Sequence, residues 1–451
     1  MPDLLKVAKF GGTSMADLDA MKRCARIVTS DPDKKVIVVS ATSGTTNLLS
    51  SLFDHVETDQ KMEIVDKIRK KHLEICTGLV HSTEVEKAIL QVMDSLVALV
   101  QNQHMMTPRI QDEILSHGEL LSSAIFTGLL KEYDTGEVDT RWLDARKIIT
   151  TDRSHTKAQP DISAIAGNAE DQLIPHLESV RFVTQGFIGS SPDGTTTTLG
   201  RGGSDYSAAL FAEAIHADVL EIWTDVTAVY TTDPRVVPAA RPITEISFDE
   251  AAELSVFGAK VLHPATMVPA VRKNIKVYVG SSMKPQKPGT WIMKDTRSKP
   301  VIRAISLRRN QTLVTVKSPD MLHRHGFLAK LFDVLSRHQV SVDLVTTSEV
   351  SVSLTVDTDI QSTERDSLNE DVLSELRTFS QVDVEKDLSL VALIGNNLHA
   401  TSGLSGPVFG LLEDVNVRLI CHGASSHNLC FLVSQTSAEK VVQVLHNRFI
   451  K

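Results

Sequence analysis

The chain is predicted to be α/β through its first two thirds, layered around a mostly parallel sheet, and α+β in its last third, where one small unit is built twice. Three observations lead there. Short β-rich apolar runs alternate with helical periodicity up to residue 280, a Lys-, Pro- and Gly-rich stretch interrupts the pattern at 281–300, and beyond it the chain repeats itself. At 451 residues it exceeds what one hydrophobic core organises, so two or three domains are expected.

The opening apolar run LLKVA leads into KFGGTS (Lys9 to Ser14) and then into DLDAMKRCARIVTS, where Leu18, Met21, Ala25 and Val28 recur at helical spacing. A strand, a glycine turn and a helix are therefore expected in that order. VIVVS at 36–40 is a second strand, and IQDEILSHGELLSSAIF is a helix with Ile114, Leu121 and Ile125 on one side and Glu119 close to that stripe. RFVTQGFIG at 181–189, VLEIWT at 219–224 and VYVG at 277–280 are further strands. Between them TTTTLGRGGSDYSAAL at 195–210 is a second glycine turn feeding a helix, and FGAKVLHPAT is a helical run stopped by Pro264. The turn-rich stretch SSMKPQKPGTWIMKDTRSKP at 281–300 marks a domain boundary.

After it, an offset of 77 residues carries Leu313, Phe332, Leu335, Val340, Val342 and Ser348 onto Leu390, Phe409, Leu412, Val417, Leu419 and Ser425, and Gly326 onto Gly403. Each copy reads as strand, loop, helix (FLAKLFDVLSRH; GPVFGLLEDV), strand (VSVDLV; VNVRLI), strand (VSVSLTVD; HNLCFLVS) and a further helix. Such a duplication is either a structural spacer or, because two equal sheets meet, a seat for a small ligand.

Hydrophobic residues make up 42% and charged residues 23%, the composition of a globular protein. A net charge of −9 leaves no global positive field for nucleic acid or anionic lipid, so an anionic small substrate must be met by local cations. Cys24, Cys76, Cys421 and Cys430 form no paired framework, MPDLLKVAKF lacks the apolar core of a secretion signal, and no apolar run is long enough to span a bilayer. A cytoplasmic location is expected.

In KFGGTS the glycines lie where residues without a Cβ let backbone amides approach an anion, and Lys9 adds a point charge; a plain turn reads the same way. In the second glycine turn Arg201 offers a planar fork for a carboxylate, while Asp205 caps its helix or receives an ammonium group. Glu119 is either a solvated edge residue or a partner for a cation. WTDVTAVYTTDPR at 223–235 gathers rings, hydroxyls, Asp225, Asp233 and Arg235, suited to a nucleotide or to a loop with an Asp-Pro turn. Lys260 is a helix-end cation. Cys421, His422, His427 and Cys430 lie in strand-like alternation and read as packing and surface positions rather than a metal site.

In this order KFGGTS, VVSATSGTTN, SHGE, TTTLGRGGSDYSA, WTDVTAVYTTDPR and FGAKVLHPAT resemble the aspartate kinases of the amino-acid-kinase superfamily, over essentially the whole chain. MLHRHGFLAKLF, SVDLVTTSEVSVSLT and CHGASSHNLCFLV resemble the paired ACT domains of its lysine-sensitive branch. The resemblance implies an amino-acid-kinase domain over 1–292 and ferredoxin-like ACT units over 293–383 and 384–451. It implies transfer of the γ-phosphoryl group of MgATP to the side-chain carboxylate of L-aspartate, with magnesium held mainly through the nucleotide, inhibition by L-lysine, and a homodimer or dimer of dimers joined through the ACT domains. No nucleic-acid or membrane partner is expected.

The residues follow by the same resemblance. Lys9, Gly11, Gly12 and Ser40 face the transferring phosphate together with Asp205 as a catalytic group. Thr46, Glu119, Arg201, Gly202, Gly203 and Ser204 belong with Asp205 to the aspartate site, Arg201 on the α-carboxylate and Glu119 and Asp205 around the α-ammonium. Thr224, Asp225, Tyr230, Arg235, Lys260 and Val261 correspond to ATP-binding positions. Met321, Arg324, Phe327, Leu328, Ser341, Val342, Asp343, Ser348 and Glu349 correspond to the lysine site, where Asp343 and Glu349 suit a ligand with two ammonium groups. The alternatives are another kinase of the superfamily, acting on glutamate, acetylglutamate, carbamate or a nucleotide, and a catalytically silent amino-acid sensor.

Overall fold

A computed structural model describes residues 4–450 apart from 55–56, 103–105, 135, 137, 259–263, 323–324 and 358–367. Lys260, Val261 and Arg324 thus lie outside the described residues. The chain forms two packing units, one of Met1–Val229, Pro242–Ala252 and Lys260–Arg297, the other of Tyr230–Arg241, Glu253–Ala259 and Ser298–Lys451. The expected divisions after 292 and 383 cut the sequence linearly, whereas these units are assembled from separated segments.

The first unit contains β1 (Lys6–Phe10), β2 (Lys34–Val39), β3 (Asp139–Leu143), β4 (Val180–Gln185), β5 (Ile188–Ser190), β6 (Thr196–Thr198), β7 (Val219–Thr224), β8 (Glu245–Ser247), β9 (Lys276–Ser281) and β10 (Thr290–Met293). β5 and β6 form a small antiparallel pair; the others make one sheet in the order β3-β4-β2-β1-β7-β9-β10-β8. All its pairings are parallel except β9 with β10. β2, KKVIVV, is buried at every position, as expected of a strand covered on both faces. β10 falls inside the stretch read as turn-rich, because four residues leave no periodicity to detect and pairing with β8 and β9 makes them a strand. The chain leaves β1 for β2 on one side and returns through β7 on the other, so β1 is the point where the strand order reverses, the position beyond whose carboxyl end open α/β sheets bind their ligands.

The helices around this sheet are α1 (Leu18–Thr29), α2 (Thr45–Ser51), α3 (Thr58–Cys76), α4 (Ser82–Asn102), α5 (Pro108–Tyr133), α6 (Ile162–Gln172), α7 (Gly203–Ala214), α8 (Phe248–Val256) and α9 (Pro264–Lys273). α1 starts where Asp17 accepts the Ala20 N–H at 2.8 Å, and α5 starts on the Thr107 cap with Pro108 in its first turn. α5 is buried along most of its length and shares one apolar core with β1, β2, α1, α3 and α4. A helix buried almost all round explains why Glu119 lies inside rather than at an edge.

The second unit carries β11 (Ala304–Lys317), β12 (Val345–Thr347), β13 (Ser351–Asp357), β14 (Gln381–Ile394), β15 (Leu419–His422) and β16 (Asn428–Ser434), with helices α10 (Phe327–Arg337), α11 (Glu370–Arg377), α12 (Ser405–Phe409) and α13 (Gln435–Phe449). Its six strands run in the order β12-β13-β11-β14-β16-β15. β11 and β14 stand at the repeat offset along their whole length, and each is kinked by a residue of positive φ, Asn310 at 58° and Asp387 at 59°. Each strand therefore serves both halves: residues 304–308 pair with 390–394, and 311–317 with 381–388. The cores follow the same exchange. Ile302 and Ile305 pack with Val391, Leu429 and Phe431, while Val382 packs with Val314, Leu331 and Val352. The run VSVDLV is a strand only from Val345, because the Leu344 N–H donates to the Thr355 hydroxyl instead of a ladder carbonyl. GPVFGLLEDV is helical only to Phe409, with Gly406 and Gly410 inside it, residues that weaken a helix by about 1 kcal/mol each.

Candidate functional site

The carboxyl ends of β1, β2, β4 and β7 place the loops that follow them side by side. Lys9 is 8% exposed near the end of β1, and its ammonium group lies 2.5 Å from Asp205 Oδ1 in the first turn of α7. The Gly11 N–H donates to the Trp223 carbonyl at 3.2 Å, so this amide is committed to holding β1 against β7. The glycines contribute space as well. A Cβ on Gly12 would stand 3.2 Å from the Ala41 carbonyl, which lets the turn after β1 lie against the loop after β2.

That second loop is held from several sides. The Ser40 N–H donates to the Phe10 carbonyl at 3.1 Å, and the Ser40 carbonyl accepts from the Ser122 hydroxyl at 2.7 Å. The Ala41 N–H donates to Glu119 Oε1 at 3.2 Å. Glu119 is 4% exposed, and its Oε2 is a buried atom with no hydrogen-bond partner. Burial pushes its carboxyl up to about 8, against the opposing pull of the Ala41 amide and of Lys9. A buried, largely protonated acid with one oxygen unpartnered suits an arriving cationic group.

Sequence reasoning missed the supports behind this loop. His72 is buried and its imidazole is pushed down to about 4 by desolvation, so it is neutral. Its Nδ1 donates to the Ile68 carbonyl at 2.7 Å, which leaves Nε2 to accept from the Thr42 hydroxyl at 3.1 Å, and Thr42 in turn accepts from Thr45 at 2.6 Å. Lys71 donates to the Ser43 carbonyl and, at 3.2 Å, to the Thr45 hydroxyl. Thr46, beside them on α2, is exposed. Lys71 and His72 sit in a run of charged residues in α3, where no spacing distinguishes them from a solvated face.

The second glycine turn completes the wall. Gly202 takes φ of 74° before α7, and a Cβ on Gly203 would meet the Phe187 ring at 2.6 Å. Arg201 is exposed at the rim and Ser204 is half-buried. On the other side of β1, the Thr224 hydroxyl donates to Asp225 at 3.0 Å, and the Ser282 N–H donates to the Thr224 carbonyl at 2.9 Å. The structure thus brings Lys9, Gly11, Gly12, Ser40, Glu119 and Asp205 together, with the Arg201 and Thr224 turns adjoining them in sequence. Tyr230 and Arg235 belong to the second unit, where Arg235 is exposed and pairs with Asp233 at 2.7 Å.

In the second unit Met321, Phe327 and Val342 pack against the apolar core, and Phe327 meets Phe379 at 5.7 Å between ring centres. Leu328, Ser341, Ser348 and Glu349 are exposed. Asp343 holds an ion pair with Arg308 at 3.2 Å. Cys421 and Cys430 face each other across β15 and β16, while His427 and His422 bond the Gly395 and Leu398 carbonyls at 2.8 and 3.3 Å, in keeping with packing positions. Among the described residues no cluster of three or more His, Cys, Asp or Glu is arranged to hold a metal, and no helix is long and apolar enough to cross a membrane.

Residues 5–281 match the amino acid kinase family, and residues 314–362 and 391–449 match an ACT domain. The lysine-sensitive aspartokinase 3 of Escherichia coli K12 is 50% identical over 447 residues, covering 99% of either chain. Two crystal structures of E. coli aspartokinase III, both at 50% identity, superpose over 99% of this chain and all of theirs. The complex with aspartate and ADP, described as the R-state, has a TM-score of 0.88, and the complex with lysine and aspartate, the T-state, 0.87.

Proposed function

We infer that this chain, which belongs to the amino acid kinase family and within it to the aspartokinases, transfers the γ-phosphoryl group of ATP to the side-chain carboxylate of L-aspartate and is feedback-inhibited by L-lysine. The observation that carries the chemistry is the Lys9–Asp205 pair at the end of β1 beside the buried Glu119 carboxyl. The nucleophile is already a carboxylate, so the task is to bring two anions together and neutralise charge between them. Lys9 meets the transferring phosphoryl group, with Gly12 and Ser40 lining the same turn. Glu119 Oε2 and Asp205 receive the substrate ammonium, Arg201 its α-carboxylate, and Thr46 the region of the reacting carboxylate, with Gly202, Gly203 and Ser204 shaping the turn. Thr224, Asp225, Tyr230, Arg235, Lys260 and Val261 serve the nucleotide. Magnesium accompanies ATP, bound mainly through phosphate oxygens and water, and supplies further neutralisation of phosphate charge.

The division into a catalytic part over 1–292 and regulatory units over 293–383 and 384–451 is supported by the repeat, with residues 304–308 of β11 pairing with 390–394 of the second regulatory unit. Met321, Arg324, Phe327, Leu328, Ser341, Val342, Asp343, Ser348 and Glu349 form the lysine site. The exposed Val345 and Ile420 on the two edge strands of the six-stranded sheet favour assembly through the ACT units into a homodimer or dimer of dimers. A cytoplasmic location fits the composition.

Incubation with MgATP, aspartate and hydroxylamine is expected to yield aspartyl hydroxamate far above an Asp205→Ala control; a product only with glutamate, acetylglutamate or carbamate would move the enzyme elsewhere in the superfamily. Lysine titration tests the second site. Asp343→Ala is expected to raise the lysine concentration for half inhibition by about tenfold or more, the loss of one charged hydrogen bond, with aspartate turnover within twofold. Equal loss of turnover and inhibition would contradict separate sites.

A further inference from the structure

Two helical turns before Glu119, α5 carries a second buried carboxylate that the reaction does not use. Asp112 is 0% exposed, and its oxygens gather donors from two different segments. Oδ1 accepts the Thr198 hydroxyl at 2.5 Å and the Thr156 N–H at 3.1 Å; Oδ2 accepts the same N–H at 3.0 Å and His155 Nδ1 at 2.9 Å. A carboxylate buried to this degree is stable only when so satisfied. Thr156 is held at φ of 72°, a left-handed conformation that a branched side chain rarely takes, and the Asp112 carboxylate grips its amide.

Both segments bear on Arg201. Thr198 ends β6 three residues before it, and the Thr198 carbonyl accepts the Ala158 N–H at 2.9 Å. Gly200, at φ of 75°, lies so close to the 156–157 backbone that a Cβ would stand 3.2 Å from the Thr156 carbonyl. The turn carrying Arg201 is therefore seated on a loop that Asp112 pins, and Asp112 and Glu119 sit seven residues apart on one helix, roughly 10 Å along its axis.

We propose that Asp112, through Thr198 and Thr156, is a positioning residue that fixes the Arg201 turn relative to Glu119 and so sets the distance between the groups that grip the two ends of the amino-acid substrate. This rests on the assignment of Arg201 and Glu119 to aspartate. A substrate bound at both ends loses affinity when one grip is displaced, while nucleotide contacts elsewhere do not.

The test uses steady-state kinetics of the full chain with Thr198→Val, Thr198→Ser, Asp112→Asn and Arg201→Ala. Thr198→Val, which keeps volume and deletes the hydroxyl, is expected to raise KM for aspartate about tenfold with KM for ATP and kcat within twofold; Thr198→Ser keeps the hydroxyl and stays within twofold throughout. Asp112→Asn, which turns a donor toward the Thr156 amide or His155, is expected to show the same split more strongly. A raised aspartate KM in Arg201→Ala with none in Thr198→Val or Asp112→Asn overturns the positioning role alone. No change in Arg201→Ala overturns the underlying assignment. Parallel rises in both KM values, or loss of the folded protein in both Thr198→Val and Asp112→Asn, would make the cluster a stability element and also overturn the proposal.

Discussion

Lys9→Met is expected to lower kcat by about three decades or more while ATP still binds. Two like charges brought to ~4 Å repel by ~4 kcal/mol at an effective dielectric near 20, and that energy corresponds to about three powers of ten in rate. Lys9 is the cation, 8% exposed, that the proposed function assigns to the meeting point of the two anions. Its removal also leaves the partly buried Asp205 without the ammonium 2.5 Å away, and a carboxylate stranded there is itself destabilising. Lys9→Met is therefore compared with Lys9→Met/Asp205→Asn by thermal melting and by ATP calorimetry. The double variant reports only whether relieving the unpaired carboxylate restores melting; turnover is read in the single variant, and Lys9→Met that binds ATP like the parent yet turns over about three decades slower assigns the loss to Lys9 in the transition state. Lys9→Met retaining kcat within tenfold would remove Lys9 from the chemistry. Lys9→Arg is expected to lose activity as well, because a planar fork does not replace a compact point charge.

Glu119→Gln is expected to move activity and stability in opposite directions. A charged hydrogen bond to the substrate ammonium is worth roughly 1.5–3 kcal/mol, so kcat/KM for aspartate falls about 10–100-fold. Burial pushes the parent's carboxyl up to about 8, so kcat/KM for aspartate is expected to climb with pH until about 8 and then level, and the glutamine variant is expected to lack that limb. Stability runs the other way. The folded value lies above the ordinary 4.5, so the native chain keeps a proton that the unfolded chain has released. The group's stabilising contribution is full below 4.5 and is lost as pH rises through about 8, where a buried charge must be carried. Glu119→Gln is neutral throughout, and its melting temperature is expected to exceed the parent's at pH 8.5 by about 2 °C or more and to match it near pH 5. Parallel pH profiles for the two proteins would place the titration elsewhere.

Much of this was readable from residue order. The strand at 219–224 is bounded as its apolar run predicts, the helix beginning at Leu18 follows its cap and its spacing, and the strand at 277–280 gains one residue at each end. These elements are set by local periodicity and local capping, which a sequence displays directly. The repeat offset of 77 is equally legible, and it extends to pairs such as Asn310 and Asp387, whose shared left-handed backbone has no compositional signal. The sequence leaves Glu119 open between edge and ligand, because an apolar stripe locates one face of a helix and cannot tell that the opposite face is covered as well.

From the linear order alone came the α/β layering, the duplicated α+β unit, and the residue types able to bring two anions together. Three-dimensional packing settled the rest. It set Lys9 against Asp205, 196 positions apart in sequence, pinned the Arg201 turn to Asp112, propped the loop after β2 on Lys71 and His72, and exchanged the halves of β11 and β14 between two cores. The reason is the range of the forces. Periodicity and capping act within one or two helical turns, whereas desolvation, ion pairing and side-chain support depend on which distant segments exclude water from a group, and that is decided only when the layers close.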